Sequence, residues 1–429
     1  MLSAEENDLL CRVVGDAPMG QLMRRHWQPI CLKEEVAEPD GAPIRVHVLG
    51  ETLAVFRDTN GRVGVLDDVC PHRGASLSLG RNEECGLRCL YHGWKFDVEG
   101  NVVEMVSEPA SSGFMEKVKQ KAYPVEEWAG FVWAYLGPEG SVTPFVPPVW
   151  APTADIKVSV AKVVLSCNWA QILEGNIDSS HSSSLHSSDM VPARVDAAKA
   201  TEKNWLRPST DKNPRLQVER CSYGFRYAAL RRPIQNSAED VYVRSTVFIA
   251  PSSALVPPND RYNVANVEVP IDDTHTIFYF MAWGNPSTTP DQETWRTFLG
   301  QRVGVDLDEH YRPHRNIGNN FWQDRQAMKA GNFTGIKGFP NQDVAMWTTI
   351  GPIADRTKEH LGAGDLAVVE FRRQMLDAVR RFQQGEAAIG TGDQRIPPNV
   401  CSFQGVYSKA VDWRTLEPAP VGVERLAAV

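Results

Sequence analysis

The chain has 429 residues, 42% of them hydrophobic and 23% charged, and its 53 acidic side chains outweigh 45 basic ones to give a formal charge of -8. That length is more than one core comfortably organises, so two domains are expected. The acidic balance, with no basic run or tail, excludes a nucleic-acid or anionic-membrane partner from the reading, and an anionic substrate would have to be met by a few local cations.

The opening MLSAEENDLLCRVV is acidic and lacks the basic and apolar regions of a signal peptide. No apolar run reaches the roughly 18 residues of a membrane span. Eight scattered cysteines, of which only Cys70, Cys85 and Cys89 cluster, point to a reducing cytoplasm and to metal ligation rather than disulfides. Residues 1–23 read as a helical lead-in, and 24–137 as short strands and turns. Within the latter, RVHVLGETLAVFRDTNGRVGVLDD alternates around Thr59-Asn60-Gly61, KFDVEGNVVE turns at Glu99-Gly100-Asn101, and AGFVWAYLG reads as a final buried strand. PEGSVTPFVPPVWAP, with five prolines over 138–152, reads as a linker.

The second domain, 153–429, mixes strands and helices. RLQVERCSYGFRYAALRRPI, DVYVRSTVFIAP, RYNVANVEVPI and HTIFYFMAWG predict strands, and DQETWRTFLGQRV predicts a helix. Val368, Phe371, Met375, Val379 and Phe382 recur at helical spacing, a stripe best explained as core packing. The expected class is α+β: an all-β first domain, then an antiparallel sheet covered by helices in the helix-grip manner. The chain carries neither internal repeats nor low-complexity tracts, and no strand–GxGxxG–helix unit that would bind a flavin or nicotinamide.

Two segments carry chemistry. Cys70 and His72 are followed, sixteen residues later, by Cys89 and His92. Four such ligands could hold a structural zinc. However, each pair mixes Cys with His, the segment lies between strands, and Pro71, Gly74, Gly86 and Gly93 suit tight loops around a bulkier inorganic cluster. Cys85 lies inside the segment without a partner cysteine and reads as a bystander. In the second segment, NWAQILEGNIDSSHSSSLH, Glu174, Asp178 and His181 recur at i, i+4 and i+7, one face of a helix. His186 would point away from that face unless the serine-rich run distorts or ends the helix. Two His and a carboxylate make the facial triad of non-haem Fe(II) oxygenases.

The first segment, CPHRGASL…CLYHGWKFD, resembles the Rieske signature, in which two Cys bind one iron of a [2Fe–2S] cluster and two His bind the other. The second, with Asn168-Trp169 ahead of it, is similar to the mononuclear-iron motif of Rieske non-haem iron oxygenases, and the resemblance covers nearly the whole chain. It implies an oxygenase component that takes electrons from a separate NAD(P)H-dependent flavin/iron–sulfur reductase and activates O2 at Fe(II). The cluster ligands implied are Cys70, His72, Cys89 and His92. Those of the iron are His181, His186 and a downstream acid, for which Asp343 in NFTGIKGFPNQDVAMW is preferred and Asp324 is the rival; a helix N-cap is the plainer role for Asp343. Asn168 and Glu174 are expected to support the iron ligands from behind. Asp178 is implied to bridge a cluster histidine, His92 or His72, of one subunit to His181 of the next, in head-to-tail trimers or stacked trimers; the plainer role is a hydrogen bond within one subunit.

The chain looks most like the phthalate-type branch of that family, which implies an aromatic carboxylate converted to a cis-dihydrodiol. Planar bidentate cations suit such a substrate. Arg244 lies on the face of its strand shared by Tyr242, Thr246 and Phe248, and is the first candidate; Arg207 in WLRPST is the second, followed by Arg226, Arg231 and Arg232. An O-demethylase or halobenzoate dioxygenase of the same branch, needing one carboxylate contact, is the nearer rival reading. A non-catalytic Rieske electron carrier is the remoter one.

Overall fold

The computed structural model describes residues 1–148, 156–392, 396–397 and 400–416; the last four positions of the expected linker, 149–152, lie outside them. The chain divides into two compact units, Val13–Pro147 and a second made of Met1–Arg12 with Pro148–Val429. The lead-in expected over 1–23 is thus shared between them. Helix α1 (Ala4–Cys11) belongs to the second unit, and helix α2 (Pro18–Met23) to the first.

The 13–147 unit is built from three small antiparallel sheets. One pairs Trp27–Leu32, Phe131–Tyr135 and Val125–Trp128; the second is a meander of Ile44–Val48, Glu51–Arg57 and Val63–Asp67. The third runs Arg81–Glu83, Gly86–Arg88, Trp94–Phe96 and Val102–Met105. The turns expected at Asn60-Gly61 and Gly100 fall between paired strands. Phe56, Leu66, Leu77, Leu87, Trp94 and Phe96 form the core below the two Cys/His loops.

The second unit is organised by an eight-stranded antiparallel sheet. Its order is Lys157–Leu165, Thr276–Gly284, Asn263–Pro270, Ser253–Val256, Asp240–Ile249, Gly224–Arg231 and Arg215–Cys221, with Phe403–Ser408 pairing Asp240–Ile249 as well. Helices α3 (Trp169–Asn176), α4 (Gln292–Leu299), α5 (Arg325–Lys329), α6 (Phe339–Thr349) and α7 (Leu366–Gln383), with a small sheet of Met190–Pro192, Trp205–Arg207 and Lys199–Ala200, also belong to the unit. Val368, Phe371, Met375 and Val379 are buried on α7, as their spacing predicts. No helix among the described residues is long and apolar enough to cross a membrane.

Helix α3 positions everything that follows, and a buried ion triad anchors it. Glu174 accepts from Arg356 Nε and Nη2, both at 2.9 Å, and from Arg372 Nε of α7 at 2.7 Å. Burial pushes its carboxyl pKa up, yet the two guanidinium groups outweigh that and hold it below the usual range. Arg356 also donates to Asn7 Oδ1 of α1, which ties the first helix to the same point. Because the folded carboxyl is the stronger acid, this stabilisation is present above the pKa of an unfolded Glu and is lost as pH falls through the lowered folded value. Glu174→Ala leaves the buried Arg356 guanidinium without a counter-charge, while Arg372 keeps Glu359, and is expected to cost about 3–5 kcal/mol at neutral pH, read from urea unfolding. An unchanged midpoint would show that the arginines are satisfied without Glu174.

Candidate metal centres

The two Cys/His loops of the first unit are pinched in the same way. Gly74 donates its N–H to Cys70 O at 2.9 Å and Gly93 donates to Cys89 O at 3.0 Å, while Cys70 and Cys89 donate to Ala75 O and Trp94 O, each at 2.8 Å. Gly74 and Gly93 sit at φ +77° and +74°, the left-handed region. At Gly93 a Cβ would meet Val106 Cγ2 at 2.5 Å, so the loop cannot close over a larger residue.

The loops bring the rings of His72 and His92 to a centroid separation of 4.3 Å, and His72 stacks on Trp94 at 4.3 Å and 10°. Burial, with the adjoining Cys89 thiol, pushes the Cys70 thiol up to about 11. His72 Nδ1 is buried with no hydrogen-bond partner. An imidazole nitrogen orphaned beside two buried thiols fits a metal cluster, which takes thiolates and neutral imidazoles as ligands. Leu90 and Tyr91, next to His92, are 61% and 55% exposed at the loop tip. Cys85 lies elsewhere, at the tip of the hairpin Arg81–Arg88, where its sulfur accepts from Asn60 Nδ2 at 3.1 Å.

In the second unit the helix expected to run from Glu174 to His181 ends at Asn176. Asp178 explains the break. Its side chain accepts the backbone N–H of Ser180 at 2.6 Å and of His181 at 3.2 Å, offering those groups a partner other than the next helical carbonyl. A 3₁₀ turn over His181–Ser183 follows and swings the chain round, so that His186 faces back toward His181. Glu174, left on the helix, turns to Arg356 and Arg372 instead. Asn168 caps α3, accepting from Ala170 N at 3.1 Å and donating to Cys11 O and Asp273 O. The support expected of Asn168 and Glu174 is therefore indirect: they fix the helix, and among the described residues neither bonds His181, His186 or Asp343.

Asp343 comes from α6, whose N-cap is Gly338, so it is no helix cap; Asp324 is one, accepting from Gln326 N and Ala327 N at the start of α5. His181 Nε2 and His186 Nε2 lie 3.2 Å apart, and they are 3.5 Å and 3.1 Å from Asp343 Oδ1. These three side chains are the only metal-binding group of their kind among the described residues. Donors about 2.1 Å from one ion and cis to each other stand about 3 Å apart, so the triangle has the size of one face of an octahedron.

The tautomers agree with that fit. Gln342 Nε2 donates to Asp189 Oδ2 at 2.8 Å, which leaves Gln342 Oε1 to accept from His186 Nδ1, also at 2.8 Å. His181 Nδ1 lies 3.3 Å from Asp178 Oδ2. Both Nε2 lone pairs then point at a carboxylate oxygen, an arrangement that calls for a cation at its centre. The ring of His186 is further fixed by Phe339, stacked at 4.0 Å.

A cleft opens over the triad, walled by Phe278, Phe280, Trp205, Phe339 and Trp347, with Arg244 and Thr246 among its lining residues. Arg244, Arg207 and Arg231 are all buried. Arg207 and Arg231 both reach Ser183 Oγ at 3.5 Å, and Arg231 also donates to Ser179 O at 2.8 Å, so Arg231 alone of the two bonds the backbone of the loop after α3. Nε of all three, and Nη1 of Arg231, are buried without a hydrogen-bond partner. Burial, then Arg244, lowers the Arg207 pKa, and burial with the neighbouring arginines brings Arg231 down to about 10. Arg226 and Arg232 are satisfied by carboxylates outside the cleft, Arg226 by Glu219 and Arg232 by Asp211.

Reading the sequence by spacing alone missed Gln342, whose only local signal is its place beside Asp343, and it ranked Arg231 behind Arg244 and Arg207. If Gln342 orients His186, Gln342→Ala should retain iron tenfold or more weakly after dialysis, measured by metal analysis. Full occupancy would remove that role.

The sequence matches the Rieske [2Fe-2S] domain family over residues 26–124 and the family described as LigXa C-terminal domain like over residues 134–429. It is 71% identical, over 96% of this chain and 94% of the relative, to a phthalate 4,5-dioxygenase oxygenase subunit from Pseudomonas putida. A 3-chlorobenzoate-3,4-dioxygenase oxygenase subunit from Comamonas testosteroni is 35% identical, over 97% and 98%. The terminal oxygenase of carbazole 1,9a-dioxygenase from Novosphingobium sp. KA1 shares the fold with a TM-score of 0.57 at 22% identity, covering 91% of this chain and 97% of that one. The chain belongs to the Rieske non-haem iron oxygenases, as an oxygenase subunit with a Rieske [2Fe–2S] domain and a mononuclear-iron catalytic domain.

Proposed function

We propose that this oxygenase cis-dihydroxylates an aromatic dicarboxylate, phthalate, to its cis-4,5-dihydrodiol. The observation that carries the reading is the group of three buried guanidiniums, Arg207, Arg231 and Arg244, with no carboxylate pairing any of them among the described residues. Unpaired buried charge is costly, and a ligand bearing two carboxylates would compensate more of it than a monocarboxylate could. The 71% identity to a phthalate 4,5-dioxygenase oxygenase subunit supports the same assignment.

In this reading Cys70 and Cys89 hold one iron of the cluster and His72 and His92 the other, and His181, His186 and Asp343 hold the mononuclear iron. The metals supply electron storage and the site of dioxygen activation; the protein's own groups do the rest. Arg244, Arg207 and Arg231 hold the substrate carboxylates, and the aromatic walls pack against the ring and exclude water from it. Asp178 keeps His181 in the tautomer that presents Nε2 to the iron, and from a neighbouring subunit it would accept from His92 or His72. The exposed Leu90 and Tyr91 beside His92 favour such a contact, in a trimer or a stacked pair of trimers. Electrons come from a separate NAD(P)H-dependent reductase, in the cytoplasm.

The test is a single turnover. Pre-reduced, iron-loaded protein is given phthalate and dioxygen without reductase, and the product is identified by mass and retention. A cis-dihydrodiol is expected; unchanged phthalate, with a monocarboxylated aromatic converted instead, would replace the substrate. Arg207→Ala and Arg244→Ala should each weaken phthalate binding by about 2 kcal/mol or more, roughly thirtyfold, and benzoate by less. Asp178→Asn should retain both metals and lose most turnover with reductase present; normal turnover would end the bridging role.

A further inference from the structure

Directly behind residues that line the cleft lies an acid that the chemistry at the iron does not use. Glu268 lies on the strand Asn263–Pro270, where alternation puts it on the same face as Val264 and Asn266, opposite Phe278 of the adjacent strand. Val264, Asn266 and Phe278 line the cleft, as does Asn176 at the end of α3. The Glu268 side chain is fully buried. Oε1 accepts from Asn176 Nδ2 at 2.5 Å, and Oε2 is buried with no partner.

An ionised carboxylate would not be left so. Burial pushes the Glu268 carboxyl up to about 8, with the Asn176 hydrogen bond working against it and no cation contributing. The titratable and charged groups that share the cleft are Asp178, His181 and His186 from the segment after α3, Asp343 from α6 and Arg244 from the strand Asp240–Ile249. Glu174 of α3 is turned away to Arg356 and Arg372. At neutral pH Glu268 is therefore mostly protonated and adds little charge behind a cleft whose cationic side is open.

We propose that Glu268 is a charge gate on substrate binding: protonated, it leaves the field of the arginines free for an aromatic anion, and ionised, it places a like charge behind that anion and weakens its binding. The inference rests on the reading that the substrate is an aromatic carboxylate. It also runs in reverse, because coupling between two binding events is reciprocal. Binding the anion must raise the proton affinity of Glu268, so near the pH at which Glu268 is half ionised each binding event takes up part of a proton.

The experiment measures the Kd of phthalate for the metal-loaded protein from about pH 7 to pH 9, with proton uptake followed by an indicator dye, in the parent and in Glu268→Gln. In the parent, Kd should rise about tenfold across that range, with proton uptake on its alkaline side. In Glu268→Gln both dependences should flatten. A second readout needs no variant: the infrared carbonyl band of a buried protonated carboxylic acid should disappear as the parent is taken alkaline and return when phthalate is added. A flat parent profile, an equal slope in Glu268→Gln, or no such band would overturn the gate. Phthalate that binds neither protein at neutral pH would overturn the substrate reading and the gate with it, whereas binding without the pH dependence overturns the gate alone.

Discussion

Two imidazole nitrogens and one carboxylate oxygen, all with lone pairs aimed at the same point and none more than 3.5 Å from the next, are a repulsive arrangement until a cation sits among them. Most of the catalytic unit can be understood as the apparatus that holds this arrangement in advance. Gln342 and Asp343 are neighbours on α6, about 100° apart around the helix, and the His186 ring is placed so that each meets a different nitrogen. Asp178 ends one helix, begins the next turn and orients His181 with a single carboxylate. Behind them, Glu174 fastens α3 to α7 and to the Arg356 loop. A preorganised donor set of this kind binds metal more tightly than one that must be gathered at the moment of binding.

The cleft sets a second problem of charge beside the first. The donor triad is electron-rich, and the three arginines, on three different strands, are electron-poor; Arg207 and Arg231 reach Ser183 of the loop after α3, and Arg231 also reaches Ser179. Neither group neutralises the other, because no carboxylate among the described residues pairs with the arginines. The protein carries that cost in its unliganded form, and it is the usual place where a functional site departs from the most stable arrangement of its own side chains. In the proposed reading, a substrate that brings its own negative charge would relieve that cost, and affinity and placement would come from the same interaction.

How far these features can be read from sequence depends on the distance between partners. The cluster loops are legible because each Cys/His pair lies within four residues, and the strands because alternation repeats over eight or ten. The iron motif was legible as a set of residues but not as a shape. A helix carrying Glu174, Asp178 and His181 on one face is what spacing predicts, and the Asp178 side chain overrides it by bonding the backbone ahead of it. Glu174 then finds partners 182 and 198 residues away, which no local pattern contains. Arg231 and Arg232 are adjacent and chemically identical; strand alternation says that they face opposite ways, and only the packing decides which one is inside. Gln342 looks like any polar helix residue until His186 is seen against it.

Helix α1 belongs to the catalytic unit although the whole of the 13–147 unit separates it from the rest in sequence. Asn7 bonds Ala354, 347 residues further on, and Arg356 bonds both Asn7 and Glu174. During synthesis at ~5–20 residues per second, α1 emerges and then waits roughly twenty seconds to a minute for its docking site to exist. The Rieske unit can fold within that interval on its own core, whereas the catalytic unit cannot close until the chain is nearly finished. The order of birth is thus built into the connectivity: the electron-storing unit can mature first, and the oxygen-activating unit becomes competent last.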